Sequence, residues 1–150
     1  MRDSAVEKIA EFLDTIIQLS GLRLRFDILL KPSGIFVELS GEDSSLLLGK
    51  NGELLNALEY LTNKLYAPIV PEGKYISFDC MGFRNKRADE LKMMARYVAQ
   101  RVRYLGKSFT FEPMPPAERR IIHLELLKEP GVRTESVGEG SSRKVVVYPT

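Results

Sequence analysis

Tryptophan is absent from this 150-residue chain, and cysteine and histidine each occur once. A single thiol, Cys80, excludes an internal disulfide framework and is in keeping with a reducing compartment. One thiol and one imidazole, His123, cannot supply the Cys/His set of a zinc site, so no metal and no cofactor are expected. No apolar run approaches the ~18 residues of a membrane-spanning helix, so direct membrane insertion is not expected. The N-terminal MRDSAVEKIAEF lacks the apolar region of a secretory leader, and a cytoplasmic location is the expectation. The nucleoside-triphosphate signature GxxxxGK followed by Ser or Thr is missing. Ser44 and Ser45 stand in no nucleophile-elbow context, His123 has no triad partners, and the carboxylates follow no ligand spacing. The chain is therefore not expected to be an enzyme, and no catalytic residue is assigned.

What is present is an apolar content of 44% with a net charge of only +2, the balance of a folded chain. That balance conceals an asymmetry. Residues 1–80 hold 8 Lys/Arg against 12 Asp/Glu, a net of −4, while residues 81–150 hold 14 against 8, a net of +6. Two modules are implied, and the basic one favours a polyanionic partner.

Apolar residues Ala5, Ile9, Phe12, Leu13 and Ile16 recur at helical spacing, and Ser20-Gly21 reads as a stop. The period then changes to two. Leu22 to Leu30 and Ile35 to Leu39 read as paired strands about Pro32-Ser33-Gly34. A short helix follows to Leu48. A second carries Leu54, Leu58, Leu61 and Leu65 on one face, and a third strand runs from Lys74 to Cys80. Met81-Gly82 is the expected boundary. Beyond it, residues 84–105 form a long helix with a core stripe of Leu91, Met94, Ala95, Val98, Val102 and Leu105. Lys92, Arg96 and Arg103 fall on one flank of that stripe. A short strand at 108–111, a helix from the Pro113-Met114-Pro115-Pro116 entry to Lys128, and a hairpin about residues 138–141 complete the order.

The tetrapeptide Gly49-Lys50-Asn51-Gly52 interrupts strong helix formers. Glycine costs about 1 kcal/mol in a helix interior, so two of them mark a corner. A corner without Cβ atoms lets another backbone approach. The following helix start offers free N–H groups and a partial positive charge, and Lys50 adds a cation. Leu46, Leu47, Leu54 and Leu58 supply an adjoining apolar face, while Glu53 opposes an incoming phosphate. A tight turn with no further role is the plainer reading of the tetrapeptide by itself. In the second half, Arg119 and His123 lie four apart on one helical face. With Arg120 they form a set of donors suited to a phosphate. An ordinary partly buried histidine and a surface arginine are the plainer reading of that spacing by itself. Tyr97 and Tyr104 on the basic helix read more readily as packing residues or interface filler than as stacking platforms for bases.

The order helix-strand-strand-helix-GxxG-helix-strand over residues 1–82 resembles a type II KH domain with a three-stranded sheet. Within that resemblance Gly49, Lys50, Asn51 and Gly52 are the loop that clamps nucleic-acid backbone. Residues 83–150 resemble the R-3-H domain, named for Arg-x-x-x-His. Here a long basic helix, a short strand, the motif helix and a β-hairpin follow in order, with Arg119 and His123 as its signature residues. The overall class is α+β. A KH domain followed by an R-3-H domain resembles the bacterial Jag family. Many members carry a further N-terminal domain, and here Met1 leads straight into the first KH helix. The resemblance implies binding of single-stranded RNA, with single-stranded DNA not distinguished, in post-transcriptional control linked to elongation or division. It equally implies an adaptor that contacts a small stand-alone KH protein or the membrane-insertion machinery, and pairing through KH surfaces admits a homodimer.

Overall fold

The computed structural model describes residues 2–150, with the side chains of residues 2 and 3 left aside. The chain is α+β and divides into two compact units, one ending at Arg84 and one running from Asn85 to Thr150.

The first unit is built from α1 (Arg2–Ser20), β1 (Arg25–Lys31), β2 (Gly34–Ser40), α2 (Ser44–Tyr66) and β3 (Tyr75–Cys80). The central strand β2 pairs antiparallel with β1 and parallel with β3. Alternation directs Ile35, Val37 and Leu39 of β2, and Ile76, Phe78 and Cys80 of β3, into one core with Ala5, Ile9 and Leu13 of α1. Strand β1 starts at Arg25, so Leu22 and Leu24 precede the ladder.

The phase of α2 differs from the sequence expectation. Leu55 and Thr62 are fully buried, while Leu54, Leu61 and Leu65 are exposed. A polar row on α2 explains the rotation, because it covers the free edge of β3. Asn63 donates to the Ile76 carbonyl at 2.7 Å and accepts from the Ile76 N–H at 3.1 Å. Glu59 accepts from the Phe78 N–H at 2.9 Å, and Arg84 donates to the Phe78 carbonyl at 3.1 Å. Arg84 also bonds Asn56 and Glu59. The Tyr75 hydroxyl donates to Glu59 at 3.0 Å; burial first, and then the Glu59 charge, push its pKa up to about 12. An uncovered strand edge invites pairing with other chains, and this row closes it.

The second unit comprises α3 (Phe83–Leu105, from Asn85 onward), β4 (Phe109–Thr110), α4 (Pro116–Leu126), β5 (Val132–Val137) and β6 (Lys144–Pro149). Its strands lie in the order β4-β6-β5, all antiparallel. Leu91, Ala95, Val98, Ala99 and Val102 of α3 pack with Ile122, Leu126, Val145 and Val147. Met94 and Leu105, expected in that stripe, are exposed, and Ala99 takes the buried position instead. The buried arc of α3 is thus narrow and rich in small residues.

Candidate nucleic-acid interface

Helix α2 is bent at residues 49–52. Gly49 is extended (φ −60°, ψ 156°), and Lys50, Asn51 and Gly52 then take three successive left-handed conformations, with φ of 52°, 61° and 78°. Left-handed backbone costs a non-glycine residue about 1–2 kcal/mol, least for Asn and Asp. Ser44 anchors the first arm by donating to the Gly41 carbonyl at 2.7 Å. Asp43, at the head of that arm, does not cap it. Its carboxylate accepts from the Arg23 N–H at 2.6 Å, and that bond holds its pKa below the ordinary range.

The two glycines have different standing. A Cβ on Gly52 would lie 2.4 Å from a ring carbon of Phe83, so both packing and φ demand glycine there. A Cβ on Gly49 would meet nothing within 4 Å, and its φ suits any residue. The fold thus accounts for Gly52 and leaves Gly49 without a structural cause. Gly49, Lys50 and Asn51 are all exposed. Among the described residues, neither the Lys50 nor the Asn51 side chain has a polar partner. The apolar rim beside the corner is Leu46 and Leu54; Leu47, expected to join it, is fully buried in the core.

In the second unit the basic flank of α3 is largely engaged. Arg87 bonds Glu118 at 3.1 Å with both side chains nearly buried. Arg96 bonds Glu125 at 2.8 Å. Arg103 bonds Glu129 at 3.1 Å and the Pro130 carbonyl at 2.9 Å. The hydrogen bond from Arg96, with help from Lys128, holds the Glu125 carboxyl below its ordinary range. Of the three cations expected on this flank, Arg96 and Arg103 join α3 to α4 and the turn after it. Lys92 alone of the three has no carboxylate partner among the described residues. Arg87 was not singled out by sequence; its pairing with a residue 31 positions away leaves no local signal.

Arg119 and His123 also make internal contacts. Arg119 donates to the Met114 carbonyl at 2.6 Å. His123 Nδ1 lies 2.6 Å from the Thr134 hydroxyl and Nε2 lies 2.7 Å from the Ser136 hydroxyl, so both ring nitrogens are engaged with β5. Burial, then the charges of Arg119 and Arg143, push the imidazole pKa below its ordinary value. The ring is a neutral strut between α4 and β5 near neutral pH. Arg120 is exposed with no side-chain partner among the described residues. Thr134, Ser136 and Arg143 were missed by sequence reasoning, because only the hairpin's register brings them to the motif helix.

Tyr97 and Tyr104 do not pack. They are 59% and 90% exposed. Among the described residues no cluster of three or more Asp, Glu, His or Cys is placed to hold a metal, and no helix is long and apolar enough to cross a membrane.

Residues 89–149 match the family model of the R-3-H domain. Over 143 residues the chain is 35% identical to the RNA-binding protein KhpB of Bacillus subtilis, covering 94% of this chain and 64% of that protein. The chain is thus similar to KhpB proteins over almost its whole length, and its residues 89–149 to the R-3-H domain. It is also 29% identical over 147 residues to the RNA-binding protein KhpB of Clostridium symbiosum, covering 98% of this chain and 65% of the relative. A third KhpB, from Lactiplantibacillus plantarum, is 29% identical over 145 residues, covering 97% of this chain and 45% of that protein. The chain thus spans just under two thirds, or less, of the KhpB proteins it matches.

Proposed function

We propose that this chain, like the KhpB proteins it resembles, binds single-stranded RNA, with residues 1–82 acting as a type II KH domain and residues 83–150 as its R-3-H partner. The observation that carries the reading is Gly49. It is exposed, unstrained and unhindered, so its missing side chain serves something outside the fold, and a nucleic-acid backbone needs such an approach. Lys50 and Asn51, exposed beside it, supply a charge and an amide. The names of the KhpB relatives support RNA as the ligand. In the second unit the free cations Lys92 and Arg120 extend the contact, while Arg96, Arg103 and His123 hold the unit together. Two weak grips on one strand raise avidity through effective concentration. By family expectation, the process served is post-transcriptional control in the cytoplasm, linked to elongation or division.

The test is the double variant Lys50→Asp/Asn51→Asp. Both positions are exposed, so circular dichroism and melting temperature stay unchanged. Affinity for a short labelled single-stranded RNA falls on the order of tenfold or more, and the salt slope shrinks by ~0.7 for each phosphate that is no longer neutralised. Undiminished affinity in fluorescence polarisation overturns the proposal.

A second reading rests on Leu54, Leu61 and Leu65, a leucine row exposed on the outer face of α2. A row at this spacing fits another helix, in a second copy or a small KH protein, and would make the chain an adaptor. Light scattering of wild type against Leu61→Glu/Leu65→Glu, with and without RNA, separates the two readings. A dimer that these changes dissolve while RNA binding persists favours the adaptor role.

A further inference from the structure

The solvent face of α3 carries two tyrosines that the fold does not explain. Tyr97 is 59% exposed and Tyr104 is 90% exposed, and neither belongs to the unit's core. An exposed helix surface gains nothing from an aromatic ring, because tyrosine forms helix less readily than Lys, Glu or Gln. Seven residues apart, the two side chains leave the same face of the helix from backbone positions about 10 Å apart. Between them lies Arg101, whose guanidinium is 5.9 Å from the Tyr97 ring centroid and donates to the Tyr97 hydroxyl at 3.3 Å. Arg101 has no carboxylate partner among the described residues, unlike Arg87, Arg96 and Arg103 on the flank of the same helix. The acids of α4 and the turn after it therefore neutralise the flank and leave the ridge positive.

We infer that Tyr97, Arg101 and Tyr104 form a base-stacking platform for single-stranded RNA, a contact separate from the GKNG corner but resting on the RNA-binding reading given above. Each phenol ring offers a flat apolar face to an unstacked base, and Arg101 neutralises a phosphate between them. The spacing leaves room for an extended strand to place two bases on the rings with at least one nucleotide between. Every base has a π face, so the platform reads single-strandedness rather than sequence. A protein partner could also use exposed tyrosines. A guanidinium that has no carboxylate partner among the described residues fits a polyanion better.

The experiment uses the full chain and a short labelled oligouridylate, with a matching strand that is abasic throughout. Tyr97→Ala/Tyr104→Ala is expected to weaken oligouridylate binding roughly 30-fold or more while leaving the salt slope unchanged, because stacking releases no counterions. Tyr97→Phe/Tyr104→Phe keeps wild-type affinity, since the ring remains. Arg101→Ala instead lowers the slope by ~0.7. The abasic strand binds wild type and the alanine pair equally. Tyrosine fluorescence, undiluted by tryptophan in this chain, is quenched by oligouridylate and not by the abasic strand. Equal oligouridylate affinity for wild type and the alanine pair overturns the inference, as does an equal loss on both strands. If the Lys50→Asp/Asn51→Asp variant loses binding while the tyrosine variants do not, the corner stands and the platform falls. If wild type binds no single-stranded RNA, both fall.

Discussion

The GKNG corner and the basic flank of α3 look alike in the sequence, each a cation-bearing stretch near a helix. In the structure they are opposites. Lys50 and Asn51 project from a left-handed turn and touch nothing polar. Arg87, Arg96 and Arg103 reach across from α3 to Glu118, Glu125 and Glu129. The same distinction separates the two glycines of the corner, and both residues of the Arg-x-x-x-His signature make internal contacts. A residue is free for a ligand only where the fold has no use for it.

The sharpest way to break this comparison is at the Arg87–Glu118 pair. Glu118→Ala leaves the nearly buried Arg87 only the more exposed Glu90, 3.3 Å away, and about 2 kcal/mol of stability is expected to be lost, read as a fall in urea midpoint. A loss under ~0.5 kcal/mol would return Arg87 to the pool of available cations. Next comes Gly52→Ala, expected to cost about 2 kcal/mol from the Phe83 clash and the positive φ. Gly49→Ala is expected to stay within ~0.5 kcal/mol of wild type while weakening RNA binding. Equal melting curves for the two alanine variants would erase the distinction between the glycines.

A smaller effect is expected at the signature histidine. His123→Ala removes two hydroxyl contacts with β5 and should cost about 1 kcal/mol. The pH dependence gives a second handle. With its folded pKa below 6.5, His123 holds fewer protons folded than unfolded as pH falls beneath that value. Its contribution is therefore complete above about pH 6.5 and declines as the pH drops toward the folded pKa. Glu125, whose folded pKa is also lowered, adds a loss of the same sign at more acid pH. A melting temperature that climbs on acidification from about pH 7 to about pH 5 would contradict the neutral strut. The smallest expected change is Lys92→Ala: no shift in stability, and a salt slope reduced by ~0.7 if that ammonium meets a phosphate.

Much of the architecture was legible in the residues. Alternation in β2 and β3 placed Ile35, Val37, Leu39, Ile76, Phe78 and Cys80 inside, and each is buried. The corner at Gly49–Gly52 was legible because two glycines among leucines are out of place in a continuous helix. Less legible was the facing of α2. Leu54, Leu58, Leu61 and Leu65 make the better apolar stripe on paper, but Glu59 and Asn63 satisfy the open backbone of β3, and that demand turns Leu54, Leu61 and Leu65 outward while Leu58 stays half-buried against the core. A buried unpaired N–H or C=O is costly enough for a short polar row to decide the rotation of a helix. The exposure of the tyrosines was not legible for a related reason. Spacing shows that Tyr97 and Tyr104 share a face, but not which face α4 and the hairpin leave uncovered.

The sequence by itself determined where the elements lie, their class, the location of the corner and the basic character of the second half, because periodicity, glycine and charge act over a few neighbouring residues. The tertiary structure alone decided which arginines remain free, which glycine the packing requires and which side of each helix meets water. Those outcomes depend on partners up to 31 positions away, such as Glu118 for Arg87, and no local spacing encodes such a meeting.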